Sequence, residues 1–262
     1  MLLKITEKCS AGCTHCLSDC TPNGKHMPGY VLDRALRFIT GFKLGCTITV
    51  TGGEPTEHPE FMKVMQEIID WTKAYRRVPF YAITITSNGF WVVNHQDEAR
   101  SLVEQSDDDV KINWQISTDS RYYTKKLDTT KRIWREKGFV LCENCVQMID
   151  YMGRAKKNQV EGKRKTASSC FNLRAIAKQL CERNNKIELK DVITYMESTG
   201  HFCTPEIRIN GDICPGESDL CPPISSVWAS PDDVLEKLIN CTCAQCGTNL
   251  SLPEIYRKLV NN

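Results

Sequence analysis

The chain has 262 residues, of which 41% are hydrophobic and 25% are charged, and its formal net charge is +2. These values are ordinary for a soluble globular protein. The small net charge gives no bulk electrostatic reason to expect nucleic acid or a membrane surface as a partner. No stretch approaches the ~18 apolar residues of a membrane span. We therefore expect no membrane partner, and the charge gives no reason to expect nucleic acid.

The fifteen cysteines are the unusual part of the composition. The apolar stretch in the N-terminal MLLKITEKC is too short for a signal peptide, which predicts a cytoplasmic location. Disulfides are rare in the cytoplasm, and an odd number of cysteines also argues against a fully paired disulfide framework. Cysteine enrichment in such a chain indicates metal or redox chemistry.

Helices and strands are predicted to alternate between residues 28 and 148. Apolar residues at helical spacing predict helices over 28–42, 60–71, 95–105 and 124–137. Runs rich in β-branched residues, or alternating with period two, predict strands over 46–51, 80–86, 110–116 and 139–148. This alternation indicates βαβ units and a parallel sheet, either open and doubly wound or curled like a barrel.

Polar and glycine-containing segments follow three of these predicted strands. They are Gly52-Gly-Glu-Pro55, Ser87-Asn-Gly89 and Ser117-Thr-Asp119. In α/β folds with a parallel sheet, functional loops follow the C-terminal ends of the strands. We therefore expect these three segments to contribute to one site.

The pattern changes after about residue 166. A helix is predicted over 166–181, and Asn210-Gly211 predicts a hairpin turn between two short apolar runs. A cysteine-dense tail follows. We place a boundary near residue 160, which divides the chain into a core over 1–160 and a cysteine-rich C-terminal region over 161–262.

The first cysteine group is Cys9, Cys13 and Cys16, spaced as C-x3-C-x2-C within a run of small residues. Gly12 can adopt a positive φ without strain, so the backbone can curl round a compact object. Three thiolates suit one face of an iron–sulfur cube and leave one iron without a protein ligand. A structural zinc site needs four ligands. Because Cys20 or His15 could supply the fourth, spacing alone leaves zinc open.

With Gly52-Gly-Glu-Pro55 added to the cysteine pattern, the sequence resembles the radical S-adenosylmethionine (radical SAM) superfamily. Ser87-Asn-Gly89 and Ser117-Thr-Asp119 look like later strand ends of that family, and Tyr151-Met-Gly-Arg-Ala155 resembles its "GRA" segment. The resemblance covers about residues 1–155. His15 stands where the family often has an aromatic residue, and histidine also occurs there.

The resemblance implies an α/β fold that forms a partial (β/α)6 TIM-like barrel. Cys9, Cys13 and Cys16 would hold a [4Fe–4S] cluster whose open iron binds S-adenosylmethionine. Reductive cleavage of that cofactor would yield a 5′-deoxyadenosyl radical, which abstracts a hydrogen from the substrate. The resemblance also implies a reductant such as flavodoxin or ferredoxin.

The GGEP segment is the first implied contact with S-adenosylmethionine. Gly52 and Gly53 have no Cβ, so their carbonyls could approach the methionine amino group, and Glu54 could accept a hydrogen bond from that ammonium. A tight turn without ligand contact is the structural alternative for this segment.

Further contacts with the cofactor are implied at the later strand ends. Ser117 and Asp119 could bind the ribose hydroxyls or the region of the carboxylate, although both could instead be helix caps. Arg154 could pair with the carboxylate. The remaining residues implied around the cofactor are His15, Pro55 and Asn88.

A second cysteine group lies in the C-terminal region and resembles the short "twitch" appendage of some radical SAM enzymes, of which "SPASM" is the longer form. It implies a small α+β appendage with an auxiliary [4Fe–4S] cluster. The four implied ligands are Cys203, Cys214, Cys243 and Cys246, with Cys221 or Cys241 as substitutes. A zinc ribbon would use the same kind of ligands and stays open.

The resemblance implies an enzyme that acts by hydrogen abstraction, and an auxiliary cluster suits the oxidation or cross-linking of a peptide. Dehydrogenation or rearrangement of a small molecule or nucleoside is the alternative within the same class. The alternative from another class is a zinc-binding scaffold or nucleic-acid-binding protein, in which every thiol is structural.

Overall fold

The structure is a computed structural model. It describes residues 1–41, 47–75, 82–117, 138–142, 153–160, 205–216, 222–240, 242–243 and 248–251. The predicted helices over 124–137 and 166–181 lie outside these ranges, as does the last part of the strand predicted over 139–148.

Five strands from the first 142 residues lie side by side and parallel, in the order β5-β4-β3-β2-β1. Four of them begin within two residues of the start of a predicted strand. β1 is not among the predicted strands, because Leu2 and Leu3 interrupt the alternation of apolar and polar residues along it. The five strands are β1 Leu2–Thr6, β2 Ile48–Gly52, β3 Ala82–Ser87, β4 Lys111–Ser117 and β5 Phe139–Cys142.

Three short strands from the predicted C-terminal region extend the same sheet beyond β1. β6 pairs in parallel with β1, β7 pairs antiparallel with β6, and β8 pairs antiparallel with β7. The predicted hairpin is confirmed, since Gly211 has φ +85° and its N–H bonds the Arg208 carbonyl at 2.8 Å. The boundary near residue 160 stays a prediction. The strands are β6 Glu206–Ile207, β7 Asp212–Cys214 and β8 Ser225–Ser226.

A separate antiparallel pair is formed by β9 Thr242–Cys243 and β10 Thr248–Ser251. The helices predicted over 28–42, 60–71 and 95–105 are confirmed, and the described residues contain three further helices. No described helix is long and apolar enough to cross a membrane. The helices are α1 Gly29–Gly41, α2 Phe61–Ala74, α3 Phe90–Asn94, α4 Gln96–Glu104, α5 Gly153–Lys157 and α6 Pro231–Asn240.

The core lies between one face of the sheet and helices α1, α2 and α4. Val50, Ile85 and Trp114 alternate with polar neighbours along their strands, so period two turns them to this face. Leu3 is paired with Val50 in the neighbouring strand and belongs to the same core. Trp114 is fully buried, and its indole N–H donates to the Ala99 carbonyl at 3.1 Å. This hydrogen bond attaches β4 to helix α4.

The opposite face of the sheet is polar and half-buried. Parallel sheets with both faces in an apolar core are apolar throughout, whereas β2, β3 and β4 alternate between apolar and hydrogen-bonding residues along most of their length. The second face therefore provides a surface that suits a polar ligand. Its hydroxyl and amide side chains are Thr49, Thr51, Thr84, Thr86, Asn113 and Gln115.

Candidate functional site

A cavity of about 180 Å³ lies at the C-terminal ends of β2, β3 and β4, beside the loop that follows β1. Its position agrees with the expectation that loops after parallel strands build one site. The predicted site residues that line it are Cys9, Cys13, His15, Cys16, Gly52, Gly53, Glu54, Asn88, Ser117 and Arg154.

The cysteine loop, residues 9–20, forms one wall of this cavity. Gly12 has φ +62°, which confirms the predicted curl of the backbone. Cys9, Cys13 and Cys16 are half-buried and Cys20 is buried, and these four cysteines are not joined by disulfides. Cys20 also reaches the cavity. Within the described part of the chain, no three His, Cys, Asp or Glu side chains converge on a position for a single metal ion.

The segment after β2 packs directly on the chain that leaves β1. The N–H of Gly53 bonds the Thr6 carbonyl and the N–H of Glu54 bonds the Lys8 carbonyl, both at 2.8 Å. A Cβ at Gly53 would lie 2.3 Å from the Lys8 carbonyl oxygen. The protein's own packing thus requires a glycine here, whether or not its carbonyl also contacts a ligand.

The side chain of Glu54 is buried and accepts hydrogen bonds from its own protein. Oε1 accepts from the Oγ1 of Thr56 and the Oγ of Ser87, both at 2.7 Å, and Oε2 accepts from the N–H of Asn88 at 2.7 Å. Burial raises the pKa of this carboxyl above its ordinary value. The predicted contact between Glu54 and a ligand ammonium stays a prediction.

A second link joins the cysteine loop to the same segment. The backbone N–H and the hydroxyl of Ser10 donate to the two carboxylate oxygens of Glu57, each at 2.8 Å. Glu57 ends the short 3₁₀ helix Pro55–Glu57. Pro55 is buried as the first residue of that helix and is not among the residues that line the cavity.

The thiols of the loop differ in their electrostatic environment. Burial raises the pKa of Cys9 to about 11, and the charges of Glu54 and Glu57 act in the same direction. The pKa of Cys16 is lowered to about 6. The largest cause is the side-chain hydrogen bond with Cys20, and the positive charge of Arg154 lowers it further. The loop therefore contains one thiol that readily becomes a thiolate.

Arg154 lines the cavity, but its nitrogens contact the cysteine loop. Its Nε donates to Asp19 Oδ1 at 3.0 Å, its Nη1 to the Cys13 carbonyl at 2.9 Å, and its Nη2 to the Cys20 carbonyl. The predicted ion pair with a cofactor carboxylate stays a prediction, and the structure adds these partners within the protein.

The other predicted site residues are Asn88, which lines the cavity, and the cysteines and aspartate of the later segments. Asn88 uses its Oδ1 to accept from the N–H of Phe90 at 3.0 Å, at the start of α3. Cys214 is buried on β7, and Cys243 lies on β9. Asp119, Cys203 and Cys246, and the substitutes Cys221 and Cys241, lie outside the described residues, so the auxiliary ligand set stays a prediction.

Sequence reasoning did not identify four residues of the site: Thr51, Thr86, Ser87 and Asp19. The two threonines line the cavity from the polar face, and strand alternation followed to the strand ends would have found them. Ser87 belongs to a segment noted above, but only the fold pairs its hydroxyl with Glu54. Nothing in the local sequence distinguishes Asp19 from a solvated loop residue.

No protein-family profile matches the chain, and no curated protein matches its sequence. Among the solved structures that resemble it are three of two proteins. BtrN in complex with AdoMet and 2-DOIA is 12% identical, has a TM-score of 0.52, and is matched over 90% of this chain and 82% of its own.

The other two structures are of Streptococcus suis SuiB, each 13% identical. SuiB bound to its precursor peptide SuiA has a TM-score of 0.53 and is matched over 89% of this chain and 63% of its own. SuiB bound to S-adenosylmethionine has a TM-score of 0.51, with coverage of 94% and 71%. These proteins are radical SAM enzymes with partial TIM-like barrels, and the chain shares their α/β fold with its parallel sheet.

Proposed function

We propose that this chain is a radical SAM enzyme. The observation that carries the proposal is that Cys9, Cys13 and Cys16 line one cavity with Gly52-Gly53-Glu54, at the C-terminal ends of parallel strands. The likeness to BtrN and SuiB supports it independently, because both have been solved with S-adenosylmethionine (AdoMet) bound.

The residues around the cavity suit a [4Fe–4S] cluster and S-adenosylmethionine. The donor set is three thiols from one loop, as a cluster with one open iron requires. When bound, this pair of cofactors supplies a 5′-deoxyadenosyl radical for hydrogen abstraction. Gly53 lines the cavity, and its backbone carbonyl would contact the methionine end of the cofactor.

The chain's own residues would orient the cofactors and keep the site rigid. The buried carboxylate of Glu54 ties the end of β2 to Ser87 and Asn88 at the end of β3, so the backbone carbonyls there are held in place. The hydroxyls of Thr86 and Ser117 line the same cavity and suit ribose hydroxyls as hydrogen-bonding partners.

The test is anaerobic reconstitution with iron and sulfide, followed by reduction with dithionite in the presence of S-adenosylmethionine. We expect broad absorbance near ~400 nm and formation of 5′-deoxyadenosine. Cys13→Ala should abolish that product, whereas Cys20→Ala should keep it, because only the first replaces a proposed cluster ligand. A colourless protein that takes up zinc and no iron would instead support the zinc scaffold.

For the substrate, we favour oxidation or cross-linking of a peptide. SuiB has been solved bound to a precursor peptide, and the polar sheet face offers neutral hydroxyl and amide groups that can bind backbone amides. A small molecule with several hydroxyl or amino groups is the second candidate. It is supported by BtrN, which has been solved with 2-DOIA, and by the same polar face.

These two substrate classes can be separated without knowing the substrate. The reduced enzyme is incubated with S-adenosylmethionine and with either the peptide fraction or the small-molecule fraction of a cell extract. We expect the peptide fraction to raise 5′-deoxyadenosine formation above the uncoupled background. Stimulation by the small-molecule fraction alone would favour the second candidate.

The auxiliary cluster on Cys203, Cys214, Cys243 and Cys246 is part of the same proposal, and its support is the cysteine pattern of the sequence. Replacing Cys243 and Cys246 together by serine should lower the iron content after reconstitution while leaving uncoupled cleavage of S-adenosylmethionine largely intact. An unchanged iron content would mean that the auxiliary ligands are assigned wrongly.

A further inference from the structure

Residues 153–158 lie against the cysteine loop and contact it at several points. Gly153 has φ +52°, and a Cβ there would lie 2.1 Å from the Leu17 carbonyl oxygen. The N–H of Arg154 bonds the Cys16 carbonyl at 2.8 Å. The Nδ2 of Asn158 donates to the Thr14 carbonyl at 3.0 Å. The two backbones are therefore in direct contact.

Arg154 adds the most extensive of these contacts. Its guanidinium spans Asp19 and the carbonyls of Cys13 and Cys20, so one side chain joins the middle of the loop to its end. The side chain is only 18% exposed, which strengthens charge-assisted hydrogen bonds relative to those in open solvent. Lys157 forms a second ion pair with Asp19.

The loop has little structure of its own to resist opening. Between residues 9 and 20 it contains no helix or strand, and its internal backbone bond runs from the Cys16 N–H to the Cys13 carbonyl at 3.3 Å. Asp19 has φ +48°, a conformation that costs free energy for a residue other than glycine. Contacts from outside the loop must hold this geometry.

We propose that residues 153–158 form a clamp that keeps the cysteine loop folded before any cluster is bound, with Arg154 as its central positioning residue. Arg154 then acts through the loop, by fixing the carbonyls on either side of Cys16. The inference deepens the proposed function because it concerns the same site. The clamp itself, however, is a property of the metal-free chain.

The experiment measures how fast N-ethylmaleimide labels Cys20 in the full-length, metal-free protein. Cys20 is 5% exposed, so its labelling reports opening of the loop. Trypsin releases the loop as residues 9–25, between Lys8 and Lys25, and fragmentation in the mass spectrometer separates its four cysteines. Neither iron nor S-adenosylmethionine is present, so the result does not depend on the proposed function.

Arg154→Ala should raise the labelling rate of Cys20 by about tenfold, because several charge-assisted hydrogen bonds that oppose opening are lost. The loss of a positive charge would by itself make a nearby thiol less reactive, so faster labelling indicates opening. An unchanged rate in Arg154→Ala overturns the clamp. Arg37→Ala is the matched control. The Nε of Arg37 also pairs with an aspartate, Asp33, at 2.9 Å, but it does so on an exposed helix face.

Arg154→Lys distinguishes a clamp from a simple charge effect. A lysine ammonium cannot reach one carboxylate and two carbonyls together, so we expect labelling closer to that of the alanine variant than to that of the wild type. Full restoration by lysine would overturn the proposed role of the guanidinium. A wild type that cannot be reconstituted with iron would count against the proposed function and leave these rates unaffected.

Two further measurements cover the case in which Arg154→Ala fails to fold. Asn158→Ala removes a contact made by an exposed side chain and should raise the labelling rate by roughly threefold; no change would overturn the clamp. In reconstituted protein, the same variant should lose iron to a chelator faster than the wild type. Equal rates of iron loss would contradict the idea that the clamp supports the cluster.

Discussion

The Oγ of Ser87 donates a hydrogen bond of 2.7 Å to Oε1 of Glu54, and this contact joins the end of β3 to the segment after β2. Ser87 also accepts from the N–H of Gly89 at 2.9 Å. Both side chains are 2% exposed and line the cavity. A buried polar link of this kind fixes the distance between two strand ends, and so the shape of the site between them.

Ser87→Ala removes one donor to Glu54 and one acceptor for Gly89. We expect a loss of about 1–3 kcal/mol in the free energy of unfolding, because buried partners are left without their hydrogen bonds. Urea denaturation of the metal-free protein measures it. Ser101→Ala, on the exposed face of α4, is the control and should change stability by less than about 0.5 kcal/mol. Equal effects at both positions would contradict the role of Ser87.

Glu54→Gln should reveal a dependence of stability on pH. The pKa of Glu54 in the folded protein lies above its ordinary value of 4.5, because the carboxyl is buried. Relative to the glutamine variant, the stability that Glu54 contributes is therefore fully present below pH 4.5 and is lost as the pH rises through the folded-state pKa. Denaturation of both proteins from pH 4 upward measures this difference. A difference that does not vary with pH would refute the prediction, and Glu60→Gln, on an exposed residue, controls for the substitution.

Gly53→Ala should weaken the packing between the GGEP segment and the chain after β1. The new Cβ would lie 2.3 Å from the Lys8 carbonyl oxygen, which is backbone and cannot swing aside. We expect a loss of about 2–4 kcal/mol, measured by denaturation, together with a lower iron content after reconstitution.

The control for Gly53 is Gly29→Ala at the start of α1, where a Cβ would meet nothing within 4 Å. That variant should be neutral or slightly stabilised, because alanine reduces the conformational entropy of the unfolded chain. If Gly53→Ala behaves like Gly29→Ala, the close approach at Lys8 is not a constraint on the site.

Trp114→Ala tests the core that supports the strand ends. The indole is fully buried against Phe61 and Trp91 and also donates to the Ala99 carbonyl. We expect a loss of about 3–5 kcal/mol in the free energy of unfolding, from lost burial and the cavity left behind. Tyr30→Ala, at a side chain that is 72% exposed, is the control. A cost below ~1 kcal/mol at Trp114 would contradict the observed packing.

The sequence by itself determined the local features from which the site is built. The spacing of Cys9, Cys13 and Cys16, the positive φ at Gly12 and the alternation of β2, β3 and β4 all depend on neighbours within a few residues. Patterns of that range can be recognised before any fold is known. The same patterns predicted that polar residues after parallel strands meet at one edge, as Glu54, Ser87 and Ser117 do in the structure.

Only the tertiary structure decided which residues those side chains meet. Glu54 pairs with Ser87 because β2 and β3 are neighbours, and Arg154 reaches Asp19 across 135 positions of sequence. β6 joins the sheet beside β1, although more than 200 residues separate them along the chain. Such contacts depend on the order in which strands pair and on how closely backbones approach. No local pattern records them, because a residue's neighbours in space are set by the whole fold.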